Sequence, residues 1–539
     1  MPSVKGLLEG YGPKFPPLEE LFGIEADEAA ELRLSTPIPA LDRYLKSVKF
    51  LQDVTSGKAM GFLRFKVSAE YFIALTELLG DYQGKYKHQK VADRISDSDK
   101  AKIRQIGRTT SEILRAEKLE EFTEHDTAAA TDYLKISIGT QLPHLEHMIE
   151  GVHFAVTSED PMSVSFGLIL NKLVYGHFVP NLLDFCDSLI AYAEKYEKAS
   201  SLVLPGLTHE QAAEPTPLGK KVAFTVSAIN ELLENMLDKN DDFKPFSAKF
   251  SGAIGNFTTH YAAYPDIDWK AFAKKFVSDF GLHYEKVAHQ AVSYAREATH
   301  FMNIANICTQ VMKFTDDFLR LASCPGQLFV KQQKKGVKAS SIMPNKSNGW
   351  GMEGALRMLA EAQDGLITYA KELPNYPHEG NMGRSYLCRN IGEKFMPIFI
   401  ALGRISGEFN RYQPNDEKIN AFLNEYPGMA GSVIQTVLKR AKIEGDAYRV
   451  IQSISINPDG TYATASQFRT GLEKKMDELN LDADLREELR SKLDLKRLIE
   501  PAGIIASETF SEVKGRFAEY RQKLAKYQQP LFEVAPKLG

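Results

Sequence analysis

EKVAHQAVSYAREATHFMNIANICTQVMKFTDDFLRLAS, residues 285 to 323, runs without a glycine or a proline for longer than an ordinary globular helix. Its apolar residues Val287, Ala291, Tyr294, Ala298, Phe301, Ala305, Cys308 and Met312 recur at three-four spacing, the pattern of one buried face of a long helix. Such a helix needs partners along its whole length. Residues 163 to 198, 217 to 239 and 351 to 372 carry similar spacing, the first with Pro180 as the expected kink. Together the four segments predict an elongated bundle of long helices.

On either side of this centre the pattern changes. Residues 1 to 148 also read as helical but are broken by polar stretches such as SDSDKAK, and residues 411 to 539 read as shorter, charge-laced helices. The expected architecture is all-α, with an N-terminal helical domain (1–148), a central bundle (149–410) and a C-terminal helical domain (411–539). Turns are expected at PGLTHEQ, at YPDIDW and between 323 and 351. The 539 residues are 43% hydrophobic and 25% charged, with 66 basic and 70 acidic side chains interspersed, so no nucleic-acid footprint stands out. Cys186, Cys308, Cys324 and Cys388 have neither CxxC spacing nor the look of a disulfide framework. With no apolar stretch of signal length at the N-terminus and no run of about 18 apolar residues, a cytoplasmic protein without a membrane partner is expected.

Three polar islands interrupt the apolar pattern: HFAVTSEDP (153–161), LTHEQAAEPTPLGKK (207–221) and KASSIMPNKSNGW (338–350). Each has a bland reading. Thr157 or Ser158 can be an N-cap, His209 a satisfied turn histidine, His125 in TEHD a surface residue, and the third island a solvated loop anchored by Met343. Read together they suit the removal of a proton beside a carboxylate while a group leaves the next carbon. A serine serves as base only if nearby cations and backbone N–H groups stabilise its alkoxide, which a tight polar loop with Lys346 can arrange. Lys346 and Asn348 can hold the carboxylate, and a histidine can protonate the leaving group.

These residues resemble the fumarase, aspartase and argininosuccinate lyase superfamily. SSIM, Pro344, Lys346 and Asn348 match its GSSxMPxKxNP loop, here 332–350; THEQAAEPTPLGK and HFAVTSED resemble its other two blocks, in the same order. Within the superfamily the adenylosuccinate lyase branch is the most similar. KFSGAIGNFTTHYAAYPDIDWKAFAKKFVSDFG (249–281), LDRYLKSV (41–48) and TEHDTAAATDYLK carry that likeness.

The resemblance implies a lyase releasing fumarate from a succinylated purine nucleotide, with no cofactor and no metal. It implies Ser340 as base, His209 as acid, and His125 and Lys346 as further catalytic residues. Thr157, Ser158, Thr208, Gln211, Glu124, Asp126, Gln290, Ser341 and Asn348 would bind substrate, with Arg43, Tyr44, Ser385 and Arg389 at the phosphate. It also implies a homotetramer whose central helices form its core and whose sites are shared between three chains. The sequence departs from the pattern at Ala339, Asn345 and Gly349 in the loop, at Glu210 after the acid histidine, and at Gly380, where the family has an arginine that Arg384 would have to replace. Two alternatives remain: a lyase acting on another fumarate adduct, and a catalytically silent scaffold, against which the joint presence of Ser340, His209, Lys346 and His125 argues.

Overall fold

The computed structural model describes residues 43–85, 93–200, 202–323, 327–333, 335–338 and 340–533. Its centre is a sheaf of long helices, Leu218–Glu234, Ala295–Ala322, Trp350–Glu372 and Ile391–Phe409, packed along one another. The all-α expectation holds. On helix Ala295–Ala322 the buried residues Phe301, Ile304, Ala305, Cys308, Val311, Phe314 and Phe318 make the apolar stripe, and 28 residues give it a length of about 42 Å.

The helix starts ten residues later than its periodicity suggests. Residues 283–284 instead pair in parallel with 247–248, the Glu285 carboxylate accepts from Ser293 N–H at 2.7 Å, and Tyr294 enters the helix from a left-handed conformation (φ 55°). Val287, in phase with the stripe by sequence, is 81% exposed.

Upstream, Glu159–Leu170, a π-helical turn Asn171–Phe178 and Val179–Ser200 follow one another without a break. The irregularity expected of Pro180 is this π turn, whose wider hydrogen-bond spacing accommodates a residue that cannot donate. By length and composition Glu159–Tyr196 could cross a bilayer, but 83% of its apolar window is buried inside the protein, where it is a core helix. PGLTHEQ is more than a turn: Val203–Thr208 and Gln211–Pro217 form an antiparallel hairpin. YPDIDW does turn, with Asp268 capping helix Trp269–Asp279.

Two smaller cores flank the centre, one built from residues between Phe65 and Val152 and the other from residues between Ala430 and Leu489. Helix Glu500–Leu524 returns to pack on Leu218–Glu234.

Two histidines in the central core carry a pH prediction. His300 donates to or accepts from the Tyr175 hydroxyl at 2.7 Å, His260 packs edge-on against Trp269, and burial lowers each ring from 6.5 to about 4. Between those values the unfolded chain binds protons that the native state refuses, so stability falls as pH falls from 6.5 towards 4, by roughly 3 kcal/mol per ring. Thermal unfolding at pH 7 and pH 4.5 should therefore show a clear drop at the lower pH; an unchanged midpoint would contradict the neutral-ring assignment.

Candidate functional site

The best-formed concentration of candidate residues lies at the N-terminal end of helix Ala295–Ala322. Two adjoining hollows of ≈ 80 and ≈ 420 Å³ share His125, Thr127 and Ser158 as walls. The first is also lined by Asp126, Tyr294, Arg384, Ser385 and Arg389, the second by Thr157, Lys135 and His153.

His125 is the N-cap of helix Asp126–Gln141, its Nδ1 accepting from Thr127 N–H (3.3 Å) and Ala128 N–H (3.5 Å). An accepting Nδ1 puts the proton of a neutral ring on Nε2 and leaves that nitrogen for a ligand. Asp126 was expected to touch substrate, yet its carboxylate is bound by Arg64 and by Arg389. Burial pushes this carboxyl up, but the two guanidiniums outweigh it and hold the pKa below the ordinary value. Asp126 therefore anchors arginines. Glu124, at the C-cap of helix Thr110–Thr123 (φ 50°), lines neither hollow.

Thr157 and Ser158 do not cap the helix that follows them, contrary to the bland reading. Ser158 makes no side-chain cap bond, and Thr157 N–H instead donates to the Asp160 carboxylate at 2.8 Å. Both hydroxyls are without a hydrogen-bond partner among the described residues, at the wall of the hollows. Asp160 itself pairs with Lys249 at 2.9 Å, both side chains fully buried. This pair, the Glu159–Arg384 ion pair and His153, which burial keeps below its ordinary pKa, were not singled out by sequence.

Arg384 lines the first hollow but is committed to Glu159. It is 7% exposed and binds Glu159 through Nε (3.1 Å) and Nη2 (2.9 Å). At Gly380 a Cβ would meet Gln290 Oε1 at 2.8 Å and Arg384 Nη1 at 3.1 Å, so any side chain there would have to displace one of them. Gln290, on the loop before the long helix, is held by its N–H to Glu379 O (2.9 Å).

The other two islands lie at the opposite end. Glu210 reaches Arg320 at 3.4 Å and Gly349 packs against Leu319, near the C-terminus of the helix whose N-terminus Tyr294 brings to the hollows. Those ends are separated by about 38 Å.

On the hairpin, Thr208 pairs with Gln211, and His209 (φ 52°) and Glu210 (φ 60°) form the exposed two-residue tip. Both left-handed conformations make it the type I′ geometry in which glycine is favoured at the second position. Gln211 Oε1 accepts from the Tyr462 hydroxyl at 2.5 Å, so it docks the hairpin on the C-terminal helices. Glu210→Gly should raise stability by about 1 kcal/mol, since the relieved strain exceeds the loss of an exposed ion pair. A urea midpoint that falls instead would show that the Arg320 contact matters more.

In the loop, Ser340 Oγ accepts from Met343 N–H (3.0 Å) and Ile342 N–H (3.4 Å). Ser341, Asn345 and Lys346 are exposed, and Ala339 lies outside the described residues. Met343, expected as an anchor, is 44% exposed. The anchors are Lys331, which donates to Asn348 O (2.8 Å) and pairs with Glu408, and Glu408, which accepts from Met352 N–H (2.7 Å). Gly349 is explained by space, because a Cβ would come within 2.8 Å of Leu319 and 3.1 Å of the Tyr412 hydroxyl.

Arg43 and Tyr44 do not join Ser385 and Arg389 within the chain. The Tyr44 hydroxyl accepts from Arg404 (2.8 Å), whose guanidinium also faces Trp350, and Arg404 is 13 residues, about 20 Å, along helix Ile391–Phe409 from Ile391, which lies two residues past Arg389.

Residues 83–363 match a family model described as lyase. The chain is 26% identical over 478 residues to an adenylosuccinate lyase of Dictyostelium discoideum, covering 85% of this chain and 96% of that one. To the adenylosuccinate lyase of Escherichia coli K12 it is 27% identical over 425 residues, covering 77% and 87%. A solved fumarate lyase from Mesorhizobium superposes with TM-score 0.60 at 16% identity over 86% of this chain and 97% of that one. A β-carboxy-cis,cis-muconate cycloisomerase from Acinetobacter calcoaceticus superposes with TM-score 0.57 at 14% identity, over 86% and 98%. The long-helix bundle, the three polar islands in order and a match spanning more than half its length agree: the chain belongs to this lyase family, as its likeness to fumarase and aspartase implied.

Proposed function

We propose that the protein cleaves N6-(1,2-dicarboxyethyl)-AMP to AMP and fumarate, and the corresponding succinylated imidazole carboxamide ribotide in the same way. The observation that carries this reading is the hollow in which two unpartnered hydroxyls, Thr157 and Ser158, share a wall with His125, close to Arg389. That set suits an anionic substrate.

The Ser340 alkoxide takes the proton from the carbon beside one carboxylate. Lys346 and Asn348 hold that carboxylate as the electron pair gathers on it. The pair then forms the double bond as the C–N bond on the next carbon breaks; its electrons leave with the nitrogen, which His209 protonates. Fumarate and AMP result, atoms balance, and no electron is exchanged with a cofactor. Because His125 and His209 belong to opposite ends of one long helix, a complete site takes the hollow of one copy and the hairpin and loop of others, in a homotetramer.

The test follows fumarate release from each adduct by the purified, folded protein. No turnover on either would overturn the reading. A second reading, a lyase for another fumarate adduct, is favoured by Gly380, which supplies no cation where the family has an arginine and lies against the Gln290 and Arg384 side chains. Turnover of a succinyl adduct lacking the phosphate, at a rate above that of the nucleotide, would select it.

A further inference from the structure

We propose that the buried pair Lys249–Asp160 is a positioning device, which holds the turn before its helix so that the Thr157 and Ser158 hydroxyls stay at the hollow to bind a substrate carboxylate. This rests on the reading of the hollow as the fumarate-releasing site.

A helix entered through Thr-Ser would ordinarily be capped by one of those hydroxyls, which would then be unavailable to a ligand. Here Asp160 reaches back to Thr157 N–H (2.8 Å) while Asp160 N–H donates to Thr157 O (3.0 Å), closing the turn without either hydroxyl. The other carboxylate oxygen accepts from Ser251 N–H (2.8 Å), Gly252 N–H (3.3 Å) and the Lys249 ammonium (2.9 Å). Lys249 also donates to Gly252 O (2.8 Å), and Ser163 Oγ bridges to Lys249 through both its C=O (2.9 Å) and its N–H (3.2 Å). The turn bearing the hydroxyls is thereby fixed to segment 249–252, about 90 residues away in the chain.

A buried ion pair is a poor source of stability, because desolvation of both charges offsets their attraction, and neutral replacements are often tolerated. Its geometry is what a neutral pair would not reproduce. An aspartate can accept at both oxygens from several N–H groups at once, whereas an asparagine must present a donor on one side.

The test is the double variant Lys249→Met with Asp160→Asn, which removes both charges together and leaves neither unpaired. With adenylosuccinate as substrate, KM is expected to rise on the order of tenfold or more while kcat changes by no more than about threefold. An unchanged KM overturns the proposal. Should the double variant fail to fold, Ser163→Ala loosens the clamp without touching a charge; a severalfold rise in KM is then expected, and no rise overturns it. If the wild type releases no fumarate from either adduct, the proposed function falls separately. The pair is then read through fumarate itself: stabilisation of the wild type by fumarate, lost in the variant, supports the proposal, and a wild type that fumarate does not stabilise overturns it.

Discussion

Ser340→Ala is expected to cut fumarate release by roughly 10³-fold with no change in unfolding temperature, the result for a side chain that does chemistry and no packing. Ser340 Oγ lies at the start of a turn whose N–H groups, from Ile342 and Met343, already point at it. Those donors do little for a neutral hydroxyl but stabilise an alkoxide, and alanine removes the oxygen while leaving the donors in place. The loop's attachment to the body of the protein does not depend on that oxygen. It is fixed from its far end by the Lys331 bond to Asn348 O, by Glu408 at Met352 N–H and by the close approach of Gly349 to Leu319. Size and folding of the variant should therefore match the wild type. Retained turnover in Ser340→Ala would remove this residue from the mechanism and transfer the role of base elsewhere.

The parts of the fold that sequence reveals are those set by local repetition. From Ala295 to Ala322 the three-four spacing is the cause of burial, so reading it locates the helix. From 285 to 294 the same spacing is an accident: the strand contact with 247–248 and the Glu285–Ser293 bond decide the conformation, and neither leaves a periodic trace. The hairpin at 203–217 was hidden for a related reason. Its tip places His209 and Glu210 in left-handed conformations without the glycine that normally announces such a turn.

For the site, motif order located the three islands but not their supports. Asp160 and Lys249, Glu159 and Arg384, and Lys331 and Glu408 are each brought together by tertiary structure across long stretches of chain. Two departures from the family pattern that sequence could only register lie in close quarters. Gly349 and Gly380 occupy positions where a Cβ would press on Leu319 and on Gln290.

Mixing two inactive variants, Ser340→Ala and His125→Ala, should restore activity that neither has alone. The argument is geometric. Within one chain the hollow that holds His125 and the loop that holds Ser340 are at opposite ends of helix Ala295–Ala322, about 38 Å apart, and a rigid helix cannot fold back to join them. If catalysis needs both, each working site must take them from different copies. In a mixed oligomer some sites then draw an intact loop from the His125→Ala chain and an intact hollow from the Ser340→Ala chain, while others collect both lesions. Dissociating and reassembling the mixture should regain a measurable fraction of wild-type turnover, and each variant treated alone should regain none. A mixture that stays silent after demonstrated subunit exchange would mean that each chain completes its own site, and the loop would then have to travel the length of the bundle to do so.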